Sequence, residues 1–240
     1  MKDVHTYSME IAGREMTIET GRLAEQASGA ATVRYGDTII LAAVVAAREP
    51  REGADFLPLT VDYEEKMYSA GKIPGGFIKR EGRPTETATL TGRLTDRPLR
   101  PLIPKQWRAE IQMTVTTLSS DQENEPEILS IIGASAAMSL SDIPFAGPIG
   151  AAKVGYINGE FILNPTAQQL QDSELELSIS GTADAVSMVE AGAHELPEEI
   201  MLEAIRFGFE QGVKPVAELQ QRMIDEVQPK KRDWEPPLTD

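Results

Sequence analysis

The first half of the chain alternates between apolar and polar residues in short runs, which is the pattern of half-buried β-strands. The predicted strands are 4–11, 14–20, 31–35, 38–46 and 109–119. The pairs Ala12-Gly13 and Gly36-Asp37 supply turn residues between neighbouring runs. We therefore expect two antiparallel hairpins near the start of the chain.

A different pattern begins at Pro126, where small and large apolar residues follow one another as far as Asp142. Proline suits the first turn of a helix, and Pro144 would stop one. A helix that is apolar on nearly every side is a buried helix. We therefore predict that the segment 126–144 forms a helix packed against a sheet.

The second half repeats the order of strands followed by helices. Asn158-Gly159 is the strongest hairpin signal in the chain and divides 147–165 into two strands. Further strands are predicted at 173–180 and 184–193, and helices at 196–212, ending at Gly212, and from Pro215 to about residue 227. This arrangement predicts an α+β fold.

The last residues, 228–240, are polar and rich in proline, and we expect them to pack little. We divide the chain into one folded core at 1–227 and a linker toward a further domain. Cysteine is absent, which fits a reducing compartment, and the longest apolar run, 38–47, is too short to cross a bilayer. We expect a cytoplasmic protein with no membrane partner.

Charge is distributed unevenly along the sequence. The formal net charge of −15 argues against a nucleic-acid partner, because polyanions repel one another. Between Lys72 and Arg108, however, nine basic residues stand against three acidic ones. This basic segment reverses the conclusion drawn from the average charge.

Two parts of the basic segment could bind phosphates: the stretch FIKREGRP at 77–84, and a predicted helix over 85–100 that Pro98 would end or kink. Leu90 and Leu94 mark a packing face of that helix. Guanidinium groups bind phosphate bidentately, and an aromatic ring stacks on an unpaired base. The candidate contacts with single-stranded nucleic acid are Phe77, Lys79, Arg80, Arg83, Arg93, Arg97 and Arg100. Arginines at helical spacing also occur in surface ion pairs, and the residues alone leave both interpretations open.

Three long segments occur in a specific order. They are VRYGDTIILAAVV (33–45), GGFIKREGRPTETATLTGRLTDRPLRPLIP (75–104) and EILSIIGASAAMSLSDIPFAGPIGAAKVGYINGEFILNP (127–165). Together they resemble the first ribonuclease PH-like core of the bacterial polynucleotide phosphorylase family. The resemblance implies a ring-forming part of a phosphorolytic 3′→5′ exoribonuclease, with the loop 77–80 at the constriction of the RNA channel. Many family members have a second aromatic and a second arginine where this chain has Ile78 and Lys79, so we expect a somewhat different grip on RNA.

The same resemblance implies the cofactors and partners. Inorganic phosphate would be the co-substrate, and Mg²⁺ or Mn²⁺ would be bound outside this chain. The implied partners are single-stranded RNA, the other subunits of a homotrimer and, as a further candidate, a complex of RNA-degrading proteins.

The resemblance also bears on catalysis. In the family's second core, a Gly-Ser-Ser turn opens the small-residue helix, and a strand carries an Asp-x-x-x-x-x-Asp-x-Lys run. Aligned with this chain, the turn falls on GASAA at 133–137, and the strand positions fall on Leu170, Glu176 and Ser178. The lysine and one carboxylate are missing, so we expect no catalytic residue and no metal ligand in this chain.

Two alternatives remain open at this point. The chain could be an active phosphorylase that uses an acidic strand face formed by Asp172, Glu174 and Glu176. It could also be an interaction scaffold whose arginines only form ion pairs.

Overall fold

A computed structural model describes residues 3–234, and its first layer is a six-stranded sheet. The strands are His5–Ile11 (β1), Arg14–Thr20 (β2), Gly29–Tyr35 (β3), Thr38–Pro50 (β4), Leu59–Glu65 (β5) and Ala109–Ser119 (β6). They lie in the order β1-β2-β3-β4-β6-β5, antiparallel throughout except for the parallel pair of β5 and β6. The two predicted hairpins are confirmed, and both Ala12 (φ 50°) and Gly13 (φ 71°) have the positive φ that the first turn requires.

The second sheet has four antiparallel strands. They are Gly150–Ile157 (β7), Glu160–Leu163 (β8), Leu175–Gly181 (β9) and Val186–Ala193 (β10), in the order β10-β9-β7-β8. Asn158 (φ 51°) and Gly159 (φ 84°) form the predicted turn between β7 and β8. The α+β fold expected from the order of elements is therefore confirmed.

Five α-helices complete the fold of residues 3–234. They are Glu86–Leu99 (α1), Pro126–Leu140 (α2), Ala167–Gln171 (α3), Glu198–Gly208 (α4) and Lys214–Val227 (α5). The prediction that a helix ends at Gly212 is wrong, because a π-helical turn at Phe209–Val213 joins α4 directly to α5. Gly212 serves packing instead: a Cβ atom there would lie 2.4 Å from the Cβ atom of Ala152. No helix within residues 3–234 is both long and apolar enough to cross a membrane.

Neither β5 nor α3 is among the predicted elements, although both have a readable signal. In β5 the apolar residues Leu59, Val61 and Tyr63 alternate with polar ones, and the strand pairs with β6. In α3, Thr166 and Gln169 form a capping box at the start of the helix.

Helix α2 is buried, as predicted, and contacts both sheets through β3, β4 and β7. Small residues allow this close approach. A Cβ atom on Gly133 would lie 2.3 Å from the Cδ1 atom of Ile40, and one on Gly29 would lie 2.2 Å from the carbonyl oxygen of Ala137. Larger side chains at these glycines would push the helix away from the first sheet.

The start of the tail packs on the core, so the prediction that it packs little is wrong for residues 228–234. The Nζ atom of Lys231 donates to the carbonyl oxygens of Met138 (3.2 Å), Ser139 (2.7 Å) and Ser141 (2.9 Å) at the end of α2. Burial lowers the pKa of Lys231 to about 8. The ring centroid of Trp234 lies 6.0 Å from that of Trp107. Residues 235–240 of the predicted linker lie outside the described residues.

The loop between β6 and α2 is organised around the carboxylate of Asp121. That carboxylate accepts hydrogen bonds from the Oγ1 atom of Thr38 (2.9 Å), from the backbone nitrogens of Asp37 (3.0 Å) and Glu123 (2.9 Å), and from both nitrogens of Asn124 (2.8 and 2.6 Å). Burial by itself raises the pKa of Asp121, but the hydrogen bonds outweigh it and hold the pKa well below its ordinary value.

We expect Asp121→Asn to lower the free energy of unfolding at pH 7 by about 1–3 kcal/mol, because an amide cannot accept this set of hydrogen bonds. The pKa of Asp121 is lowered by folding, so its stabilisation is complete above the unfolded pKa of about 3.9 and decreases as the pH falls below that value. The difference between the variant and the parent chain should therefore shrink in acid. Urea unfolding at pH 7 and pH 3 measures it.

Asp37→Asn is the matched control, since Asp37 is exposed and its side chain pairs only with the exposed Arg34. It should change the free energy of unfolding by no more than about 0.5 kcal/mol. Equal losses in the two variants, or a loss in Asp121→Asn that does not change with pH, would contradict this role for Asp121.

Candidate nucleic-acid interface

The predicted phosphate-binding stretch lies in a projecting loop between β5 and α1, which we call the basic loop (residues 71–85). Almost all of its residues are exposed, including Lys79, Arg80 and Arg83. Lys79 has a left-handed backbone conformation (φ 57°), and a carboxylate oxygen of Glu81 accepts a hydrogen bond of 2.8 Å from the backbone nitrogen of Met67. The loop is therefore tied at its base and presents its basic side chains to solvent.

Three apolar side chains of the basic loop are also uncovered. Phe77 has 103% of the reference accessible surface, Ile73 has 83% and Ile78 has 74%. Exposed apolar groups of this size in one short loop are typical of a surface that contacts a partner. Phe77 is thus available for stacking on a base, as the sequence predicts.

Helix α1 presents Arg93 and Arg97 on one exposed face. The Nη1 atom of Arg97 lies 2.8 Å from the Oε2 atom of Glu190 on β10, but both side chains are more than half exposed, so the pair contributes little stability. Leu94 packs inward as predicted. The prediction that Leu90 packs is wrong, because its side chain is exposed.

Arg100 differs from the other two arginines of the predicted helix. It begins a short 3₁₀ turn, and its guanidinium donates to both oxygens of Asp96 (2.8 and 2.7 Å) and to the carbonyl oxygens of Leu57 (3.1 Å) and Leu59 (3.0 Å). These contacts join the end of α1 to the start of β5. The structure therefore brings Arg93 and Arg97 together and directs Arg100 toward the protein's own backbone.

A groove of about 930 Å³ lies along α1 and β5, which pack against each other. Its lining includes Val61, Leu90, Arg93 and Arg97, and Glu190 lies at its edge. The groove combines apolar side chains with the guanidinium groups of three arginines, but four carboxylates line it as well: Asp62, Glu64, Asp96 and Glu190. The groove is therefore mixed in charge, and the basic loop remains the more strongly cationic surface.

A second cluster of charged residues lies where α2 begins, and sequence reasoning missed its central member. The side chain of Lys153 on β7 is surrounded by the carboxylates of Glu125 and Glu127 at the start of α2 and of Glu176 on β9. Its Nζ atom lies 2.8 Å from the Oε1 atom of Glu176, and the residue is only 3% exposed. A lysine within the small, apolar run GPIGAAKVG was the available signal.

The cluster changes how the predicted acidic face is interpreted. Glu174 and Asp172 are exposed and lie outside the cluster, so within the described residues only Glu176 joins other acids in a close group. Its partners come from α2 and not from its own strand. Lys153 is also the register partner of Ser178, the position at which the family's second core has a lysine. A lysine is therefore present on the neighbouring strand, although it is absent from β9 itself.

The electrostatics of the cluster favour a charged lysine. Burial by itself would lower the pKa of Lys153, but the carboxylates of Glu127 and Glu125 outweigh it and raise the pKa well above its ordinary value. Burial raises the pKa of Glu127, against the opposite effect of Lys153. Because the ammonium group stands among the three carboxylates, these residues do not fit a bound metal ion.

The segment GASAA, on which the family's turn was aligned, lies in the middle of α2, and α2 begins at Pro126 as predicted. The residues 133–137 are fully buried, and the Oγ atom of Ser135 accepts a hydrogen bond of 2.7 Å from the backbone nitrogen of Ile149. The small residues therefore serve packing.

Comparison with known proteins agrees with this description. The chain is similar to the polyribonucleotide nucleotidyltransferases of Roseiflexus sp. (strain RS-1), at 58% identity over 239 residues, and of Thermomicrobium roseum, at 55% over 234 residues. The alignments cover 100% and 98% of this chain but only 32% and 30% of the relatives, so the chain spans about a third of their length. The resemblance stated from the sequence is confirmed.

The fold also has a match among solved structures. The crystal structure of rice (Oryza sativa) Rrp46 aligns with a TM-score of 0.66 over 95% of this chain and 94% of that chain, at 15% identity, which shows a shared fold. Two family models match in succession, domain 1 of the 3′ exoribonuclease family over residues 12–144 and domain 2 over residues 147–211. Because the matched residues make up more than half of its sequence, this chain belongs to the 3′ exoribonuclease family.

Proposed function

We propose that this chain is the RNA-binding, ring-forming first core of a phosphorolytic 3′→5′ exoribonuclease that degrades messenger RNA. The core would be residues 1–227, and the segment 228–240 would lead to a helical domain. The single observation that carries the proposal is the basic loop, in which exposed cationic side chains follow a fully exposed phenylalanine in sequence. The similarity of this whole chain to about a third of a polyribonucleotide nucleotidyltransferase gives that loop its context.

The proposed reaction belongs to the longer protein. An oxygen of inorganic phosphate attacks the terminal phosphorus of the RNA, the bond to the preceding 3′ oxygen breaks, and that oxygen takes up a proton. The products are a nucleoside diphosphate and an RNA shortened by one nucleotide, and the reaction is reversible. We place the divalent metal, Mg²⁺ or Mn²⁺, and the reacting phosphate outside this chain.

In the proposed role, this chain holds the RNA strand. Phe77 would stack on a base, while Lys79, Arg80 and Arg83 would follow the phosphates. Arg93 and Arg97 face the groove beside α1 and could hold further phosphates. Arg100 would contribute by fixing the end of α1, since four of its hydrogen bonds go to Asp96 and to the backbone.

We also propose a homotrimeric ring in the cytoplasm, with a complex of RNA-degrading proteins as a further partner. Two strands, β5 and β10, are free at the edges of their sheets, and both border the groove beside α1. Free strand edges next to exposed apolar residues are surfaces on which another core can pack. Light scattering of the full-length protein distinguishes a trimer from a monomer.

Two other functions remain as alternatives that experiment can distinguish. An active phosphorylase would need reactive groups in this chain, and Glu176 is the acid best placed for that role. A scaffold would use its arginines for ion pairs alone, as the contacts of Arg97 and Arg100 suggest. Neither alternative explains the exposure of Phe77.

Replacing Lys79 and Arg80 together by alanine should weaken RNA binding almost equally for all sequences. Each phosphate contact contributes about 0.7 to the slope of log affinity against log salt for a single strand, so the slope should become flatter by somewhat more than about 1. RNA affinity measured at several salt concentrations in the full-length protein checks this expectation.

The matched control is Arg48→Ala with Arg51→Ala, which removes the same charge. The register of β4, β5 and β6 places this pair at the opposite end of the first sheet from the basic loop. The control should leave the salt slope unchanged. If both double variants bind RNA like the parent protein, the basic loop does not contact RNA.

Phe77→Ala should weaken RNA binding by about one to two orders of magnitude with little change in the salt slope, because stacking releases no counterions. Phe56→Ala is the control, since Phe56 is another exposed phenylalanine in the loop before β5. Its loss should leave RNA affinity unchanged. A loss of affinity in Phe77→Ala that disappears at high salt would argue against stacking.

The chain alone should be inactive in phosphorolysis, because the candidate cation Lys153 is held by three carboxylates. Incubated with poly(A), phosphate and Mg²⁺ or Mn²⁺, it should release no nucleoside diphosphate above background, whereas the full-length protein should. Turnover that Glu176→Gln abolishes and Glu174→Gln preserves would instead support the active phosphorylase.

A further inference from the structure

Three carboxylates from two separate elements converge at the start of α2. Glu125 precedes the helix, Glu127 lies in its first turn, and Glu176 projects from β9, with one oxygen of each within 4.8 Å of the others. A set of carboxylate oxygens at this spacing is the kind of environment that hard divalent cations prefer. The N-terminus of α2 does not bind a further anion, because Glu125 and Glu127 already place negative charge there.

The ammonium group of Lys153 occupies the centre of this set. It has three N–H donors, donates hydrogen bonds to Glu125 and Glu176, and forms an ion pair with Glu127. Its Nζ atom lies 2.8 Å from the Oε1 atom of Glu176. A divalent metal would need to approach the same oxygens to about 2.0–2.6 Å, so metal and ammonium cannot share the position.

We propose that Lys153 is the built-in cation of this cluster, and that its side chain keeps divalent metals out of what would otherwise be a metal site. The cluster would then resemble a metal centre in which the ammonium group of Lys153 occupies the position of the metal ion. This inference concerns only the residues of the cluster and does not depend on RNA binding.

The backbone around Lys153 keeps the ammonium in place. Its nitrogen donates to the Oδ1 atom of Asn164 (2.9 Å), and its carbonyl oxygen accepts from the nitrogen of Asn164 (2.7 Å). On the other side β7 pairs with β9, so Lys153 lies on an interior strand of the second sheet. Moving the side chain away would leave a buried charge without its partners, which is unfavourable.

Charge explains why loss of the lysine should create a metal site. The cluster holds three carboxyl groups and a single ammonium, so its acids outnumber its cation even with Lys153 present. Without the lysine, the mutual repulsion of Glu125, Glu127 and Glu176 would be relieved by protons or by a cation. A divalent ion supplies more positive charge than the ammonium that it replaces.

The test replaces Lys153 by methionine, which keeps an unbranched side chain and removes the charge. Binding of Mn²⁺ to the 240-residue chain is followed by the electron paramagnetic resonance of free Mn²⁺, and the melting temperature is recorded in Mn²⁺ and in EDTA. We expect Lys153→Met to bind one Mn²⁺ at least tenfold more tightly than the parent chain does. Its melting temperature should rise with Mn²⁺, while that of the parent chain should not change.

Three further variants identify the site. Lys153→Arg keeps the charge and should remain insensitive to Mn²⁺. Lys153→Met with Glu176→Gln should lose the new binding, whereas Lys153→Met with Glu174→Gln should keep it, because Glu174 lies on the same strand outside the cluster.

Several results would overturn the proposal. One is Mn²⁺ binding by the parent chain that Glu176→Gln removes, and another is a folded Lys153→Met that binds no Mn²⁺. If Lys153→Met does not fold in EDTA, it is refolded from urea with and without Mn²⁺: recovery only with Mn²⁺ supports the proposal, and no recovery with either overturns it. The assay contains no RNA or phosphate, so its failure would leave the proposed function untouched.

Discussion

The close approach of α2 to the strands β3 and β4 sets the geometry on which the rest of this protein depends. Gly133 and Gly29 leave no room for even a methyl group, and twelve of the 15 residues of the helix are buried. The position of α2 then fixes two distant regions. Its start carries Glu125 and Glu127 toward the second sheet, and its side contacts α1, the helix that presents Arg93 and Arg97.

Both ends of this buried helix meet a lysine from elsewhere in the chain. At the start, Lys153 pairs with the acids that stand near the positive end of the helix dipole. At the other end, Lys231 donates to the last carbonyl oxygens, which have no partner within the helix. A helix without access to water needs such partners, because unpaired backbone groups are costly in the interior. The two lysines let α2 be buried along nearly its whole length.

Sequence patterns predicted what depends on local periodicity and turn chemistry. The hairpins at Ala12-Gly13 and Asn158-Gly159 and the buried helix α2 follow from neighbouring residues alone. The strand β5 has a local alternation at Leu59, Val61 and Tyr63, but its parallel pairing with β6 could not be predicted, because the two strands are distant in sequence. Within the candidate site, exposure of Phe77 agrees with the pattern, but the bonds of Arg100 and the position of Lys153 depend on residues brought together only by folding. For Arg100 there was a local signal, because Asp96 stands four residues before it, at the spacing of a helical ion pair.

The docked tail has a mechanical consequence. Beyond α5, the left-handed residue Gln228 (φ 48°) turns the chain back over the core, where Arg232 donates to the carbonyl oxygen of Ala47 on β4 and pairs with Asp142. Tension applied at Trp234 would therefore reach β4 and the residues after α2 through these contacts before it reached α5.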